Sequence, residues 1–272
     1  MYDFNSTEVK SNITGTKEWA ARNVNISKGC LHDCKYCYAK AIIVRHHHKT
    51  IEGWTDMVLR DPKNYNIPKK KLDKYIMFPS SHDITVDILD ASIDTIKRIL
   101  HGGNKVLIVS KPHLEVIGRL CEELKDQKDN ILFRFTFGSA DNKVLKFWEP
   151  NAPDFEERLS CLKLAFEKGF QTSVSSEPML DDNIHAVIEK VRPFITESIW
   201  LGKANRLKSC LSQNGYKDAE TWAAADNLIS LQTNDKIWQL YERYKDDKMI
   251  KWKDSIKKVI GIDLPEEAGL NI

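Results

Sequence analysis

Short apolar segments alternate with longer amphipathic segments along most of this chain. Six segments of five to seven residues have the composition typical of buried strands: Asn23–Ser27, Lys74–Phe78, Lys105–Ser110, Ile131–Phe137, Gln171–Ser176 and Ser198–Gly202. Between them, apolar residues recur at helical spacing, which predicts helices at Tyr38–His48, Asp87–Leu100, Leu114–Gln127, Phe155–Lys168 and Asp182–Val191. The pattern therefore indicates strands that mostly alternate with helices from residue 23 to residue 205.

Six strand-helix units of roughly 30 residues each account for this span. Alternation of this kind favours parallel strands with the helices packed outside them. Because six units cannot close the eight-stranded barrel, the expected fold is α/β, an open and partial (β/α)6 barrel of the TIM type.

From Leu207 onward the sequence shows no strand pattern. Ala219–Leu231 and Asn234–Tyr244 are predicted helices, and the second carries an aromatic stripe that we expect to pack against the barrel: Trp238, Tyr241 and Tyr244. We therefore expect residues 1–206 to form the barrel core with an N-terminal extension. Residues 207–272 are expected to form a helical extension packed on that core.

Composition and charge exclude some classes of protein. The 272 residues are 42% hydrophobic, which is enough for one sizeable core. The formal charge of +2 is too small to produce the positive electrostatic field that is typical of a dedicated nucleic-acid scaffold. Two local basic runs, Arg45–Lys49 and Lys69–Lys71, are candidates for phosphate contact, although most charge runs are simply solvated. No secretion signal and no apolar stretch of ~20 residues is visible, so we expect a cytoplasmic protein without a membrane span.

Three cysteines, Cys30, Cys34 and Cys37, form a C-x-x-x-C-x-x-C run directly after the first predicted strand. Thiolates at this spacing select zinc or an iron–sulfur cluster. A [4Fe–4S] cluster is usually held by four cysteines, so three ligands leave one iron open to a substrate or cofactor. The alternatives are a Cys3His zinc site that uses His32, or a chance grouping.

The other cysteines, Cys121, Cys161 and Cys210, are far apart in the sequence. Each is expected to be a small buried apolar residue. The alternative is that one of them donates a hydrogen atom to a substrate radical.

Polar residues follow the predicted strands at their carboxyl ends, where parallel α/β folds place their sites. These candidate site residues are His82, Asp83, Lys111, Thr136, Ser139, Glu177, Lys203 and Asn205. Lys111 suits a carboxylate ligand, and the hydroxyls of Thr136 and Ser139 suit a carboxylate or a ribose. The neighbouring His82 and Asp83 form a candidate proton-active or substrate-binding pair.

The cysteine run with an aromatic residue before its last member, Tyr36, resembles the cluster motif of the radical S-adenosylmethionine (SAM) superfamily. That resemblance implies a [4Fe–4S] cluster, SAM bound at the open iron, and Tyr36 beside the cluster and the adenine. It implies that an electron from a flavodoxin- or ferredoxin-type donor cleaves SAM to a 5′-deoxyadenosyl radical, which abstracts hydrogen from a substrate.

A closer resemblance covers about residues 23–206 and is to the spore photoproduct lyase-like, or DNA repair photolyase-like, branch. It is carried by Asn25–Cys30, Ser110-Lys111, Trp148–Pro150, Arg158-Leu159 and Gly169-Phe170. It implies that Lys111 and Thr136 contact SAM and that the backbone of Glu177 contacts adenine. Within the same stretches, Glu149 and Arg158 are expected to form a structural ion pair.

The chain departs from that branch at Ser80, where spore photoproduct lyase has a cysteine that donates hydrogen. A hydroxyl does not readily donate hydrogen to a carbon radical, so we do not expect thymine-dimer repair by that route. The expected function is a radical SAM enzyme, lyase- or transferase-like, whose substrate cavity is faced by His82, Asp83, Glu177, Lys203 and Asn205. A nucleic acid or nucleotide is the candidate substrate. The alternatives are a peptide or small metabolite, or a binding protein stabilised by zinc or a cluster and without catalysis.

Overall fold

The computed structural model describes residues 13–270, and its strands are short. They are β1 (Arg22–Asn23), β2 (Ser27–Lys28), β3 (Val58–Leu59), β4 (Ile76–Phe78), β5 (Val106–Ser110), β6 (Ile131–Thr136), β7 (Gln171–Ser176), β8 (Ile199–Leu201) and β9 (Ile250–Trp252). Seven of them pair in parallel in the order β1-β4-β5-β6-β7-β8-β9, and this curled sheet forms a half-barrel. The predicted fold class is therefore confirmed.

The helices of the same residues connect the strands and cover the outside of the sheet. They are α1 (Tyr38–Arg45), α2 (Leu89–His101), α3 (Leu114–Glu123), α4 (Asn142–Trp148), α5 (Phe155–Glu167), α6 (Ile184–Val191), α7 (Leu207–Gln213), α8 (Ala219–Ser230), α9 (Asn234–Tyr244) and α10 (Asp254–Ile260). None of these helices is both long enough and apolar enough to span a bilayer.

Both faces of the sheet are buried, as expected for parallel strands. Along β5, Val106 and Ile108 belong to the large outer core with the helices, whereas Leu107 belongs to a smaller inner cluster. In that inner cluster Trp19 packs edge-on against Trp200, with ring centroids 5.8 Å apart. The alternation of side chains along each strand thus separates a helix-facing core from a barrel interior.

The predicted first strand, Asn23–Ser27, is not continuous. β1 pairs with β4, whereas β2 turns away and pairs antiparallel with β3. The backbone amides of Ile26 and Ser27 donate to Nε2 of His82 at 3.2 and 3.3 Å, so they do not extend the parallel sheet. Because the chain leaves the parallel sheet between β1 and β2, the segment that follows, residues 29–37, lies outside that sheet.

The expectation that no strand follows Leu207 is wrong, because β9 pairs in parallel with β8. Its three residues alternate buried, exposed and buried, with Lys251 as the exposed one, which is too short a pattern to stand out in the sequence. The aromatic stripe packs in part: Tyr241 and Tyr244 contact the core, whereas Trp238 is 42% exposed. The division of the chain at residue 206 stays a prediction.

Residues 13–19, here called the N-terminal segment, lie against β9 and α10. Glu18 is fully buried and forms ion pairs with Lys253 at 2.7 Å and with Lys257 at 3.0 Å. The same carboxylate accepts a hydrogen bond from the backbone amide of Asp254 at 3.2 Å. Lys253 also donates to the carbonyl of Gly15 at 2.7 Å. These contacts join the segment to the last strand of the sheet.

Candidate active site

A cavity of about 750 Å³ lies at the carboxyl ends of the parallel strands. It is lined by eleven of the predicted site residues: Cys30, Cys34, Tyr36, Cys37, His82, Asp83, Lys111, Thr136, Glu177, Lys203 and Asn205. The N-terminal segment supplies much of the remaining wall. Strand ends that are far apart in the sequence therefore meet at one site, as the parallel topology requires.

Ser139 does not line this cavity. Its hydroxyl donates to the carboxylate of Asp181 and accepts from the backbone amide of Asp141 at 2.8 Å, so it organises the loop before α4. Its predicted contact with SAM stays a prediction that this geometry does not support. Thr136, in contrast, ends β6 at the cavity wall.

The loop that carries the three cysteines is held from several sides. Gly29 has φ +99°, and a Cβ there would lie 2.6 Å from the carbonyl oxygens of Trp54 and Asp56, so only glycine fits. At the other end, the side chain of Asn214 donates to the carbonyls of Lys35 and Cys37 at 2.9 and 3.0 Å. The loop backbone is thus fixed by residues distant in sequence, which suits a preformed ligand site.

Cys30 and Cys34 of the loop are buried, whereas Cys37 is partly exposed. Burial raises the pKa of Cys30, Cys34 and Cys37, and in Cys34 the nearby Lys111 partly opposes this effect. Buried thiols that resist ionisation on their own are compatible with a metal centre that takes up thiolate charge. Three soft sulfur donors in the wall of one cavity therefore fit an iron–sulfur cluster, and they also fit zinc.

Asp83 is the central acceptor behind the loop. Its Oδ1 accepts from the backbone amide of Lys111 at 2.8 Å and from the hydroxyl of Ser110 at 3.0 Å. Its Oδ2 accepts from Nδ1 of His32 at 2.8 Å and lies 3.8 Å from the Lys111 ammonium. Burial alone would raise the pKa of Asp83, but Lys111 and His32 hold it well below its usual range. Asp83 is therefore a fixed anion rather than a proton carrier.

Both ring nitrogens of His82 form hydrogen bonds with backbone groups. Nε2 accepts the two amide hydrogen bonds from Ile26 and Ser27, and Nδ1 donates to the carbonyl of Asp83 at 3.0 Å. Burial lowers the pKa of His82 to about 4. The ring is therefore a neutral brace for the cysteine loop, and the predicted proton-active pair with Asp83 is not supported by these contacts.

The stability of the fold should decrease below pH 6.5 because of His82. The unfolded chain protonates this residue near pH 6.5 and the folded chain only at about 4, so the unfolded state binds more protons between these values. Relative to His82→Gln, the wild-type protein should lose about 2 kcal/mol more unfolding free energy between pH 7 and pH 5. Urea titrations of both proteins at the two pH values measure this, and parallel losses would contradict it.

Lys111 lies beside the carboxylate of Asp83. Burial alone would lower the pKa of Lys111, but neighbouring groups that include Asp83 raise it well above its usual value. Its Nζ lies 5.9 Å from the centre of the Tyr36 ring. The hydroxyl of Tyr36 donates to Glu149, which forms a fully buried ion pair with Arg158 at 2.5 Å. The predicted structural pair of Glu149 and Arg158 is therefore confirmed.

The wall of the same cavity also carries Glu177, Lys203 and Asn205. The Glu177 carboxylate is 3.4 Å from Nζ of Lys253, and burial raises its pKa. Burial lowers the pKa of Lys203, whose side chain forms no ion pair with any residue between 13 and 270. Sequence reasoning missed Lys253, although it follows β9 directly. Had β9 been predicted, Lys253 would have been a candidate site residue, because it lies at the carboxyl end of a parallel strand.

Cys30, His32 and Asp83 form a group whose ligand atoms lie within 4.8 Å of one another. This group differs from the predicted Cys3His zinc alternative, because it contains only one of the three cysteines and includes Asp83. In this structure, His32 uses one ring nitrogen for Asp83 and the other for His113. Cys210 borders the cavity, while Cys121 and Cys161 are buried elsewhere.

The family model of the radical SAM superfamily matches residues 24–191, more than half of the chain. The uncharacterized protein ORF301 of Acidianus two-tailed virus is 26% identical over 195 residues, which cover 66% of this chain and 60% of that protein. The uncharacterized protein MJ0683 of Methanocaldococcus jannaschii is 23% identical over 222 residues, which cover 76% of this chain and 82% of that protein. The chain thus spans less than two thirds of the viral relative.

Among solved structures, a cysteine-to-alanine mutant of spore photoproduct lyase with a dinucleoside spore photoproduct is similar in fold. Its TM-score is 0.50 at 13% identity, with 90% of this chain and 79% of that chain covered. SuiB of Streptococcus suis bound to SAM has a TM-score of 0.48 at 12% identity, with 86% of this chain and 50% of that chain covered. The match over residues 24–191 shows that the chain belongs to the radical SAM superfamily of enzymes.

Proposed function

We propose that this protein is a radical SAM enzyme whose cluster ligands are Cys30, Cys34 and Cys37. The observation that carries the proposal is the meeting of three cysteine sulfurs, two of them in buried residues, and the Lys111 ammonium in the wall of one cavity of a partial barrel. A [4Fe–4S] cluster would be held by these three residues, and it would supply the one-electron reduction by which SAM gives a 5′-deoxyadenosyl radical and methionine.

The side chains of the barrel bind and orient the reactants in this proposal. Lys111 neutralises the carboxylate of SAM, assisted by the hydroxyl of Thr136, and the backbone at Glu177 contacts its adenine. Asp83 holds the backbone of Lys111, while His82 holds the start of the cysteine loop.

An anionic substrate, such as a nucleic acid or a nucleotide, suits the charge of the cavity wall. Four cations line the cavity and form no ion pair with a carboxylate of the described residues: Lys17, Arg45, Lys203 and Arg206. Unpaired cations of this kind attract phosphate. The second basic run, Lys69–Lys71, is exposed and does not line the cavity.

The remaining parts of the reaction are proposed from chemistry. Glu177 and Asn205 face the substrate beside Lys203. Ser80 lines the cavity where a thiol would be needed to donate hydrogen, so Cys210 is the candidate donor. A flavodoxin- or ferredoxin-type protein supplies the electron, and the reducing cytoplasm keeps the thiols available.

Anaerobic reconstitution of the full chain tests the proposal. About four irons and four sulfides per chain are expected, and reduction with dithionite in the presence of SAM should yield 5′-deoxyadenosine. Parallel reactions with single-stranded oligonucleotides or with short peptides should raise the yield only for the oligonucleotide. Colourless protein that retains one zinc and forms no deoxyadenosine would contradict the enzyme and favour the binding protein. Stimulation by peptide alone would overturn the proposed substrate class.

A further inference from the structure

Two serines follow β4 at the wall of the cavity, and one side chain from the break between β1 and β2 holds their backbone. The carboxamide oxygen Oδ1 of Asn25 accepts from the backbone amides of Ser80 and Ser81 at 2.8 and 2.9 Å. The hydroxyl of Tyr38 donates to the carbonyl of Ser80. Ser80 and Ser81 both line the cavity. The backbone of Ser80 is therefore fixed at its amide and at its carbonyl.

These contacts determine which way round the carboxamide of Asn25 lies. A backbone N–H group can only donate, so the atom that faces two of them must be the oxygen of the carboxamide and not its NH2 group. The nitrogen Nδ2 then faces Oγ of Ser80 at 2.9 Å, and because an amide nitrogen only donates, this hydroxyl oxygen is the acceptor. The direction of the hydrogen bond is thus set by the backbone and depends on no protonation state.

A serine hydroxyl that accepts a hydrogen bond still has its own hydrogen to donate. Among residues 13–270, the hydroxyl of Ser80 donates to no protein group. Ser80 is only partly buried and lines the cavity, so this hydrogen is available to a molecule bound there. Ser81 differs, because no hydrogen bond from the same part of the chain orients its hydroxyl. Ser80 therefore carries an oriented O–H donor at the cavity wall.

We propose that Ser80 donates a hydrogen bond to an oxygen of the substrate and that Asn25 is the residue that positions it. The inference rests on the proposed function, in which the substrate is a nucleic acid or nucleotide. Phosphate oxygens and base carbonyls are the acceptors that such a molecule offers. In the same proposal the carboxylate and the adenine of SAM have other partners. Ser80 thus binds substrate, although its hydroxyl does not replace a thiol as a hydrogen-atom donor.

Binding of oligothymidylate to the full chain, measured by fluorescence anisotropy, tests the donor. Ser80→Val removes the hydroxyl, and Ser80→Thr keeps it on a side chain of the same shape. Ser80→Val should weaken binding about 5-fold, the effect of one neutral hydrogen bond, whereas Ser80→Thr should bind as the wild type does. The control Ser160→Val, at an exposed position of α5 that does not line the cavity, should leave binding unchanged. An abasic strand of the same length distinguishes the two acceptors: a loss for both strands identifies a phosphate oxygen, and a loss for oligothymidylate alone identifies a base carbonyl.

Asn25→Asp tests the positioning role. A carboxylate at this position still accepts from both backbone amides but cannot donate, so the hydroxyl of Ser80 must turn its hydrogen toward the carboxylate and away from the cavity. Asn25→Asp should therefore weaken binding about 5-fold beyond the effect of its added charge. The charge effect is measured alone in the Ser80→Val background, where there is no hydroxyl to turn.

The outcomes separate this inference from the proposed function. Equal binding by Ser80→Val and Ser80→Thr, or an equal effect of Asn25→Asp in both backgrounds, overturns the inference alone. Failure of the wild type to bind any oligonucleotide overturns the proposed substrate class, and the role of Ser80 with it. The binding assay requires neither cluster nor turnover, so it gives its result even if the cluster assignment is wrong.

Discussion

Replacing Cys34 by Ala should abolish both the cluster and the formation of 5′-deoxyadenosine. Cys34 is buried at the cavity wall beside Lys111, and its thiol is one of three in the loop. With two thiols left, neither a cluster nor a zinc site retains its ligand set. The loss of deoxyadenosine should exceed the roughly 10- to 100-fold decrease that follows removal of a supporting residue. Iron analysis, the visible spectrum and chromatography of the nucleoside products measure these effects.

Cys121→Ala is the matched control for this experiment. Cys121 is as deeply buried as Cys34, but it lies in α3 and does not line the cavity. The control should retain iron and deoxyadenosine formation and differ from the wild type only slightly in stability. If Cys34→Ala kept either the cluster or the product, the assignment of the ligands would be wrong.

Replacing Glu18 by Ala should destabilise the fold by about 3–5 kcal/mol. The fully buried carboxylate of Glu18 neutralises Lys253 and Lys257, and its loss leaves two ammonium groups without their main partner. The free energy of unfolding from urea titration, read from the midpoint at constant slope, measures the change. Deep burial of all three charges makes this effect much larger than that of a surface ion pair.

Glu122→Ala is the control at the surface. Glu122 pairs with Lys125 at 2.6 Å, but both side chains are more than half exposed to solvent. Its removal should leave the unfolding free energy unchanged within error, because exposed ion pairs contribute little. Equal effects of the two substitutions would show that the Glu18 network does not stabilise the barrel.

Parallel α/β folds place their sites at the carboxyl ends of the strands, and this rule accounts for most of what could be predicted about the site. Once the strands before Lys111, Thr136 and Glu177 are recognised from their apolar pattern, parallel pairing alone brings the following residues together. The same rule failed at Ser139, because the loop after β6 turns the hydroxyl of Ser139 toward Asp181. Topology predicts which loops meet, but it does not predict which way each side chain points.

Contacts between distant segments could not be predicted from the sequence. His32 and His113 are separated by 81 positions, and no local periodicity relates them. The role expected for His82 followed from the chemistry of a free imidazole. Burial and two backbone amides determine its actual state, and neither is visible in a sequence. β9 was missed for a different reason: a strand of three residues is too short to show a recognisable alternation of apolar and polar positions.

The joining of the N-terminal segment to the last strand has a consequence for the order of folding during synthesis. Glu18 leaves the ribosome 239 residues ahead of Lys257, and Lys253 is made only after β9. Until both lysines have emerged, Glu18 lacks the cations that neutralise it in the native fold, and it must stay hydrated. The nascent chain can assemble its central strands early, but the barrel interior beside Trp19 can be sealed only after the final strand has emerged.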